Sequence, residues 1–426
     1  MTRKIGTHWK WICAVVTVAL IGPVETTYGQ VEGNSTMIHA GAASATVNPP
    51  MGSFIAGDAR NRRFTSVHDD LFAKAVVFSD EQSAAALVVV DCIGLSYTTV
   101  QEIRRRASEK VTSMTLPPER VVVSSTHTHS GPDVVGIWGP DEMHSGVDPA
   151  YMKFLVESAS DQVRSAAESM RPVTLQYATT QYPGEWVHNI CEPGVLDRSV
   201  TSLQCLDSAG SNVVTITNFA CHPTVFDAVH SVVSADYVGG FYRAMAKALP
   251  GEHVFVQGAV GGWVQPDKGD RSFPLADTYG GDLAKTVINA LTKAQPVEGT
   301  RIRFASKKVT FPVQNEGWKM LSQAGVIERE VGDTVESEVV WFAVGSAQFA
   351  THPGETPPAY SFATKEWMPT EPKFVIGLGL DALGYILKPE YFTDGSLPHA
   401  EYLTSMSLGP ETGPVLLSAL ESIINR

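Results

Sequence analysis

Short apolar runs rich in β-branched residues recur along this chain, with longer amphipathic stretches between them. The runs are Ala86–Asp91, Val121–Ser125, Val213–Phe219, Val254–Gln257, Val339–Val344, Ala347–Thr351 and Phe374–Ile376. Their lengths and apolarity predict buried strands. Val173–Tyr182 and Ile302–Val313 read as further strands. Amphipathic stretches at Val100–Val111, Ala150–Met170, Gly239–Leu249, Gly281–Ala294 and Val415–Ile424 predict helices. The alternation predicts an α/β fold of mixed β-sheet layers flanked by helices. Ligands of α/β sheets bind beyond the carboxyl ends of the strands. The residues that follow each run are therefore the first candidates for a site.

Asp91 ends the first run. His127 and His129 follow the second, inside Ser124-Ser125-Thr126-His127-Thr128-His129-Ser130-Gly131-Pro132. Residues two apart on a strand share a face, so an extended backbone here would aim two imidazoles to one side. His222 follows the third run, in Asn218-Phe219-Ala220-Cys221-His222-Pro223-Thr224. A turn-rich loop, Gln257–Ala276, follows the fourth. Glu355 follows the sixth, and Asp381 and Tyr385 follow the seventh. Singly, each has an ordinary structural explanation: a turn histidine, a helix-start carboxylate, a half-buried tyrosine. Clustered at strand ends, His, His, Glu and Tyr would make an N/O site suited to Zn²⁺. Such a metal acidifies a water to a pKa of ~7 and polarises a carbonyl. The glycine-rich loop lacks the Lys-Ser/Thr of a phosphate loop.

Composition narrows the function class. The formal net charge of −13 and the lack of basic clusters argue against nucleic-acid binding. Residues 1–29 read as a signal peptide: Arg3, Lys4 and Lys10 lead an apolar Trp11–Val24, and Thr27-Tyr28-Gly29 resembles a cleavage region. The expectation is a secreted or periplasmic protein, membrane-anchored if the signal is uncleaved. Residues 30–426 read as one domain. Outside the signal, Cys92, Cys191, Cys205 and Cys221 are too few for a disulfide scaffold. Cys191 and Cys205 flank a loop-like stretch, and export would allow them to pair.

The ordered motifs resemble the neutral ceramidases and the wider neutral/alkaline non-lysosomal ceramidase-like group. They are Val47-Asn48-Pro49-Pro50-Met51-Gly52, His68-Asp69-Asp70-Leu71, Val90-Asp91, Thr126–Pro132 and Asn218–Thr224, then Ser234-Ala235-Asp236-Tyr237, Pro353-Gly354-Glu355 and Gly384-Tyr385-Ile386. The resemblance implies a zinc-dependent amide hydrolase. It implies His127, His222, Glu355 and Tyr385 as Zn²⁺ ligands and His129 as proton carrier. It also implies Arg198, in Asp197-Arg198-Ser199, as a partner of the substrate oxygen. Contact with a membrane surface through a lipid substrate would follow.

The chain departs from that pattern at substrate-binding positions. Where the family resembles Gly-Asp-Val-Ser-Pro, this chain has Gly261-Gly262-Trp263-Val264-Gln265-Pro266. Gln265 offers an amide but no alcohol nucleophile. Glu401-Tyr402 inverts a family Tyr-Glu, so Tyr402 is the candidate aromatic contact. The family's C-terminal immunoglobulin-like domain is not expected after Arg426. The expected activity is zinc-dependent cleavage of an amide, with an N-acyl sphingolipid such as ceramide as one candidate. The alternatives are hydrolysis of a smaller amide or an ester, or ligand binding without chemistry.

Overall fold

Every predicted strand and helix is present, and the strand ends explain where the site lies. A computed structural model describes residues 37–425; the signal-peptide reading falls outside them. The described residues form one compact unit. The larger, nine-stranded sheet runs in the order Glu252–Gln257, Asn212–Phe219, Ser199–Leu206, Arg171–Gln181, Ile38–Thr46, Phe72–Ser79, Ala84–Val90, Val121–Ser125, with Gln295–Pro296 beside Arg171–Gln181. Its two terminal pairs are parallel and the pairs between them antiparallel. A second sheet orders Ile302–Pro312, Thr334–Val344, Ala347–His352 and Lys373–Gly377, the last pair parallel.

The strand Lys373–Gly377 lies against both ends of the larger sheet. At one end Ser124 Oγ donates to the Gly377 carbonyl at 3.0 Å, and Leu380 N donates to the Val123 carbonyl at 2.7 Å. At the other, Asn218 Nδ2 donates to the carbonyls of Val375 at 3.0 Å and Val256 at 2.9 Å, and its Oδ1 accepts from Val375 N at 3.2 Å. These buried polar atoms satisfy one another, so the seam carries no desolvation penalty from orphaned groups. Five strands thereby bring their carboxyl ends together: those ending at Ser125, Phe219, Gln257, His352 and Gly377.

Two helix pairs flank the larger sheet, Tyr97–Lys110 with Pro149–Glu168 and Tyr237–Ala248 with Phe273–Leu291. Side-chain caps start them: Ser96 accepts from Thr99 N, Asp148 from Ala150 N and Tyr151 N, and Ser272 from Leu275 N. The last cap corrects an expectation. The helix expected from Gly281 begins at Phe273, because Ser272 caps it and Pro274 is tolerated in the first turn. Three strands longer than three residues escaped the sequence reading: Ile38–Thr46, Phe72–Ser79 and Ser199–Leu206. The first is mostly Ala, Gly and Ser, poor strand formers whose small size lets helix Pro149–Glu168 pack on it.

Among the described residues, no helix is long and apolar enough to cross a membrane. The Cys191–Cys205 pairing that export would allow is not made. Both thiols are free and buried. Cys205 lies in the main core, whereas Cys191 packs with Tyr385, Leu387 and Tyr391 in a separate cluster.

One buried ion pair ties the first helix to the second sheet. Arg104 Nη1 and Nη2 donate to the two Glu338 oxygens at 2.6 and 3.2 Å, and the other guanidinium donors reach the carbonyls of Val121 and Glu119. Arg104→Ala would leave a buried carboxylate unpaired. The expected loss, read by denaturant unfolding, is about 3–5 kcal/mol; a change within ~0.5 kcal/mol would refute the account.

Candidate metal centre

His127 leaves strand Val121–Ser125 with φ 70°, so the backbone turns and the extended alternation expected for His-x-His does not hold. Its N–H donates to the Cys92 carbonyl at 2.9 Å, and Nδ1 faces the Ile93 carbonyl at 2.5 Å. His222 is fixed the same way: its N–H and its Nδ1 both reach the Val264 carbonyl at 2.8 Å. Each carbonyl requires a proton on Nδ1, which leaves the Nε2 lone pair of a neutral ring facing inward.

The inward atoms converge. His222 Nε2 is 3.0 Å from Glu355 Oε2, and His127 Nε2 is 3.5 Å from Glu355 Oε1. His129 Nε2 is 3.5 Å from His127 Nε2, and ligand atoms of all three imidazoles lie within 4.8 Å of one another. Two donors bound at ~2.1 Å in tetrahedral geometry sit ~3.4 Å apart. The observed separations match that spacing, and the His/Glu donor set suits zinc. Tyr385 joins the group through the backbone: Glu355 N donates to Gly384 O and Ile386 N to Glu355 O, both at 2.9 Å. Its phenol oxygen accepts from Trp263 Nε1 at 2.8 Å.

Burial and charge oppose one another across the cluster. Burial alone would raise the Glu355 carboxyl, but the facing His127 and His222 imidazoles hold it well below the usual carboxylate range. Burial lowers His222, with Glu355 offsetting part of the effect; at His127 the opposing pull of Glu355 wins and the net direction is upward. Burial, reinforced by Glu355, pushes the Tyr385 phenol well above its ordinary value.

His129 differs from its neighbours. It is less buried, and its Nδ1 faces a carboxylate, Asp58 Oδ1 at 3.3 Å, rather than a backbone carbonyl. Burial alone would raise Asp58, but His129 and Arg62 bring it well below its ordinary value. Gly57, at φ 84°, makes room for the ring: a Cβ there would lie 2.5 Å from His129 Nδ1.

Two cavities meet here, sharing Asp58, His129, Tyr385 and Tyr402. One, of about 340 Å³, extends past Ile93, Ile137, Trp138, Trp318, Leu378 and Met406. The other, of about 460 Å³, is faced by Thr224, Asp227, Trp263, Gln265 and Lys268.

The loop residues named from sequence fall around this centre. Gly261 N donates to Thr356 O at 2.8 Å, and a Cβ on Gly261 would lie 2.5 Å from Glu355 O, so only glycine lets this loop reach the glutamate. Gly262 turns the chain at φ 79°, and its carbonyl accepts from Cys191 N at 3.2 Å. Trp263 packs between His399 and the half-exposed Tyr402, with ring centroids 4.2 and 5.4 Å away. Arg198 lines neither cavity; its Nη1 donates to the Gly184 carbonyl at 2.7 Å. Asp91 and Asp381, both strand-end carboxylates, are structural. Asp91 accepts from Phe72 N, and Asp381 pairs with Arg329 at 2.6 Å. Asp58, Asp227 and Lys268 were not read from sequence, because they sit on loops or, for Asp227, a single 3₁₀ turn, with no motif of their own.

His352, one turn before Glu355, is buried with Nδ1 2.7 Å from Thr356 Oγ1 and Nε2 3.0 Å from Thr364 Oγ1. Burial, with Lys365 nearby, lowers it from 6.5 to about 3. The unfolded chain therefore binds more protons between those values, and stability is lost as pH falls from 6.5 toward 3. His352 should contribute up to about 4 kcal/mol to that loss. Urea midpoints against pH should fall more shallowly in His352→Gln; an unchanged slope would refute this.

A scan of protein-family models finds no match, and neither does a search of curated proteins. Solved structures do match. Neutral ceramidase from Pseudomonas aeruginosa aligns at a TM-score of 0.76 with 15% identity, over 91% of this chain and 74% of that one. A ceramidase complexed with C2 aligns at 0.73 with 14% identity, over 91% and 75%. The chain thus has a mixed α/β fold with a cluster at its strand ends able to hold a metal. That fold is neutral ceramidase-like.

Proposed function

We propose that this protein is a zinc-dependent hydrolase that cleaves an amide bond. One observation carries the reading. His127, His222 and Glu355 come from segments far apart in sequence, yet the two imidazole Nε2 atoms lie 3.5 and 3.0 Å from Glu355 oxygens beside two cavities, with Tyr385 joined to Glu355 through the backbone, in a fold shared with ceramidase structures.

Bound zinc would supply an acidified water and polarise the substrate carbonyl. The protein's own residues do the rest. The Ile93 and Val264 carbonyls hold His127 and His222 in the ligating tautomer, and Glu355 contributes the negative charge. His129, facing both cavities, carries a proton to the leaving nitrogen, and Asp58 stabilises the imidazolium that carries it. Gln265 and Trp263 form the wall where the family resemblance expects a serine.

The test is metal analysis of the purified protein with turnover of a panel of amides and esters, ceramide included. The expected result is one equivalent of zinc, measurable turnover of small amides and weak or absent turnover of ceramide. Efficient ceramide cleavage at rates unchanged by Gln265→Ala would refute the role of the loop. Zinc-loaded protein inert on the whole panel would refute hydrolysis.

A further inference from the structure

We propose that a separate cavity, away from the histidine cluster, binds a neutral polyhydroxylated molecule, a sugar or polyol. Its volume of about 510 Å³ is within the usual range of ligand sites, and it shares no lining residue with the two cavities at the cluster. Its walls come from the segment His68-Asp69-Asp70, from the strands Ile38–Thr46, Phe72–Ser79 and Glu252–Gln257, and from the helix Tyr237–Ala248. His68-Asp69-Asp70 is one of the ordered sequence motifs, and the metal centre makes no use of it.

Two buried ring nitrogens of the lining residues are unspent. His253 is 3% exposed, and its Nε2 donates to the Leu249 carbonyl at 3.1 Å. That bond places the ring proton on Nε2. Burial, with Lys74 nearby, lowers the pKa of the ring and keeps it neutral. Nδ1 is therefore a lone-pair acceptor, and it has no partner among the described residues. His68 Nε2 is likewise buried without a hydrogen bond, since Asp69 Oδ2 lies 3.7 Å away. A buried polar atom left unpaired costs free energy, which a ligand hydroxyl would recover.

Donors face the same space. Lys74 is 7% exposed, and its ammonium carries three N–H groups. One of them donates to Glu252 Oε2 at 3.2 Å. Glu252 Oε1 accepts from Ser44 Oγ at 3.0 Å, and both carboxylate oxygens keep lone pairs to spare. A hydroxyl completes this set, because it can accept from Lys74 while donating to His253 Nδ1 or Glu252.

The charges select against ionic ligands. Lys74 and Arg243 line the cavity with Asp69, Asp70 and Glu252. Just outside the lining, Asp277 pairs with Arg243, and Asp91 accepts from Tyr242 Oη at 3.3 Å. Carboxylates outnumber cations, which disfavours an anion. An ammonium is disfavoured as well, because Lys74 already fills that role. Its Nζ lies 4.7 and 4.6 Å from the ring centroids of Phe72 and Tyr242 and neutralises Glu252. Asp69 is committed to Ser234 Oγ at 2.6 Å and Ala235 N at 2.9 Å.

The experiment titrates full-length protein with D-glucose, D-mannose and myo-inositol, and with two charged analogues, glucosamine and glucose 6-phosphate, read by saturation-transfer NMR. At least one neutral probe should bind with a Kd of about 10 mM or below and about tenfold or more tighter than either charged analogue. His253→Phe removes the free acceptor, and Ala246→Trp fills the cavity from an exposed position on the helix. Each should weaken that binding about tenfold or more, with circular dichroism to show folding. If His253→Phe fails to fold, Ala246→Trp decides, since it disturbs no buried contact. A Kd above about 10 mM for every neutral probe, tighter binding of a charged analogue, or binding unchanged in Ala246→Trp would overturn the proposal.

Discussion

His222→Ala will purify folded but with far less than one equivalent of zinc, and it will show no measurable turnover. Its ring is buried, and its Nε2 lies closer to Glu355 than any other donor in the cluster. Removing it takes away a proposed metal donor and strands two partners. Glu355 loses the imidazole at 3.0 Å, and the Val264 carbonyl loses its Nδ1 donor. Even outer partners of ligating histidines typically change metal affinity by about 10–100-fold, so loss of a ligand should exceed that. Zinc content by elemental analysis, with far-UV circular dichroism to show folding, reads the result. Full zinc occupancy in the variant would remove His222 from the ligand set.

The sequence carried the strands better than their register with one another. Val121–Ser125, Asn212–Phe219 and Glu252–Gln257 are apolar and β-branched, so their burial declares them. The rule that ligands gather at carboxyl ends then selected His127, His222 and Glu355 correctly as neighbours. What no local pattern declares is the seam. Asn218 joins strand Lys373–Gly377 to the larger sheet through side-chain hydrogen bonds, and a single asparagine within an apolar run looks like noise. The same limit hid the strand Ile38–Thr46, whose Ala-rich face is defined by the helix packed on it. It also hid Asp58, whose meaning comes from a histidine 71 positions away. Two other carboxylates that follow a strand, Asp91 and Asp381, proved structural: strand-end position marks where a site can be and does not say which side chain turns into it.

The second large effect separates proton carrier from ligand. His129→Ala should lower kcat by about 10²–10⁴-fold, the usual worth of a positioned proton-transfer group, while the protein still binds one equivalent of zinc. The spacing alone allows the other outcome, since His127, His129 and His222 offer three nitrogens within 4.8 Å. The surroundings support the carrier role proposed above. The rings of His127 and His222 are pinned through Nδ1 by backbone carbonyls, an arrangement that orients a ligand. His129 is pinned by the Asp58 carboxylate, which stabilises a proton-bearing ring, and it faces the two cavities where substrate would lie. Asp58→Asn should therefore lower kcat with little change in KM and no loss of zinc, because it removes only the charge behind the ring. If His129→Ala instead sheds the metal, the three imidazoles form the ligand set, and proton transfer must be sought elsewhere along the cavity wall.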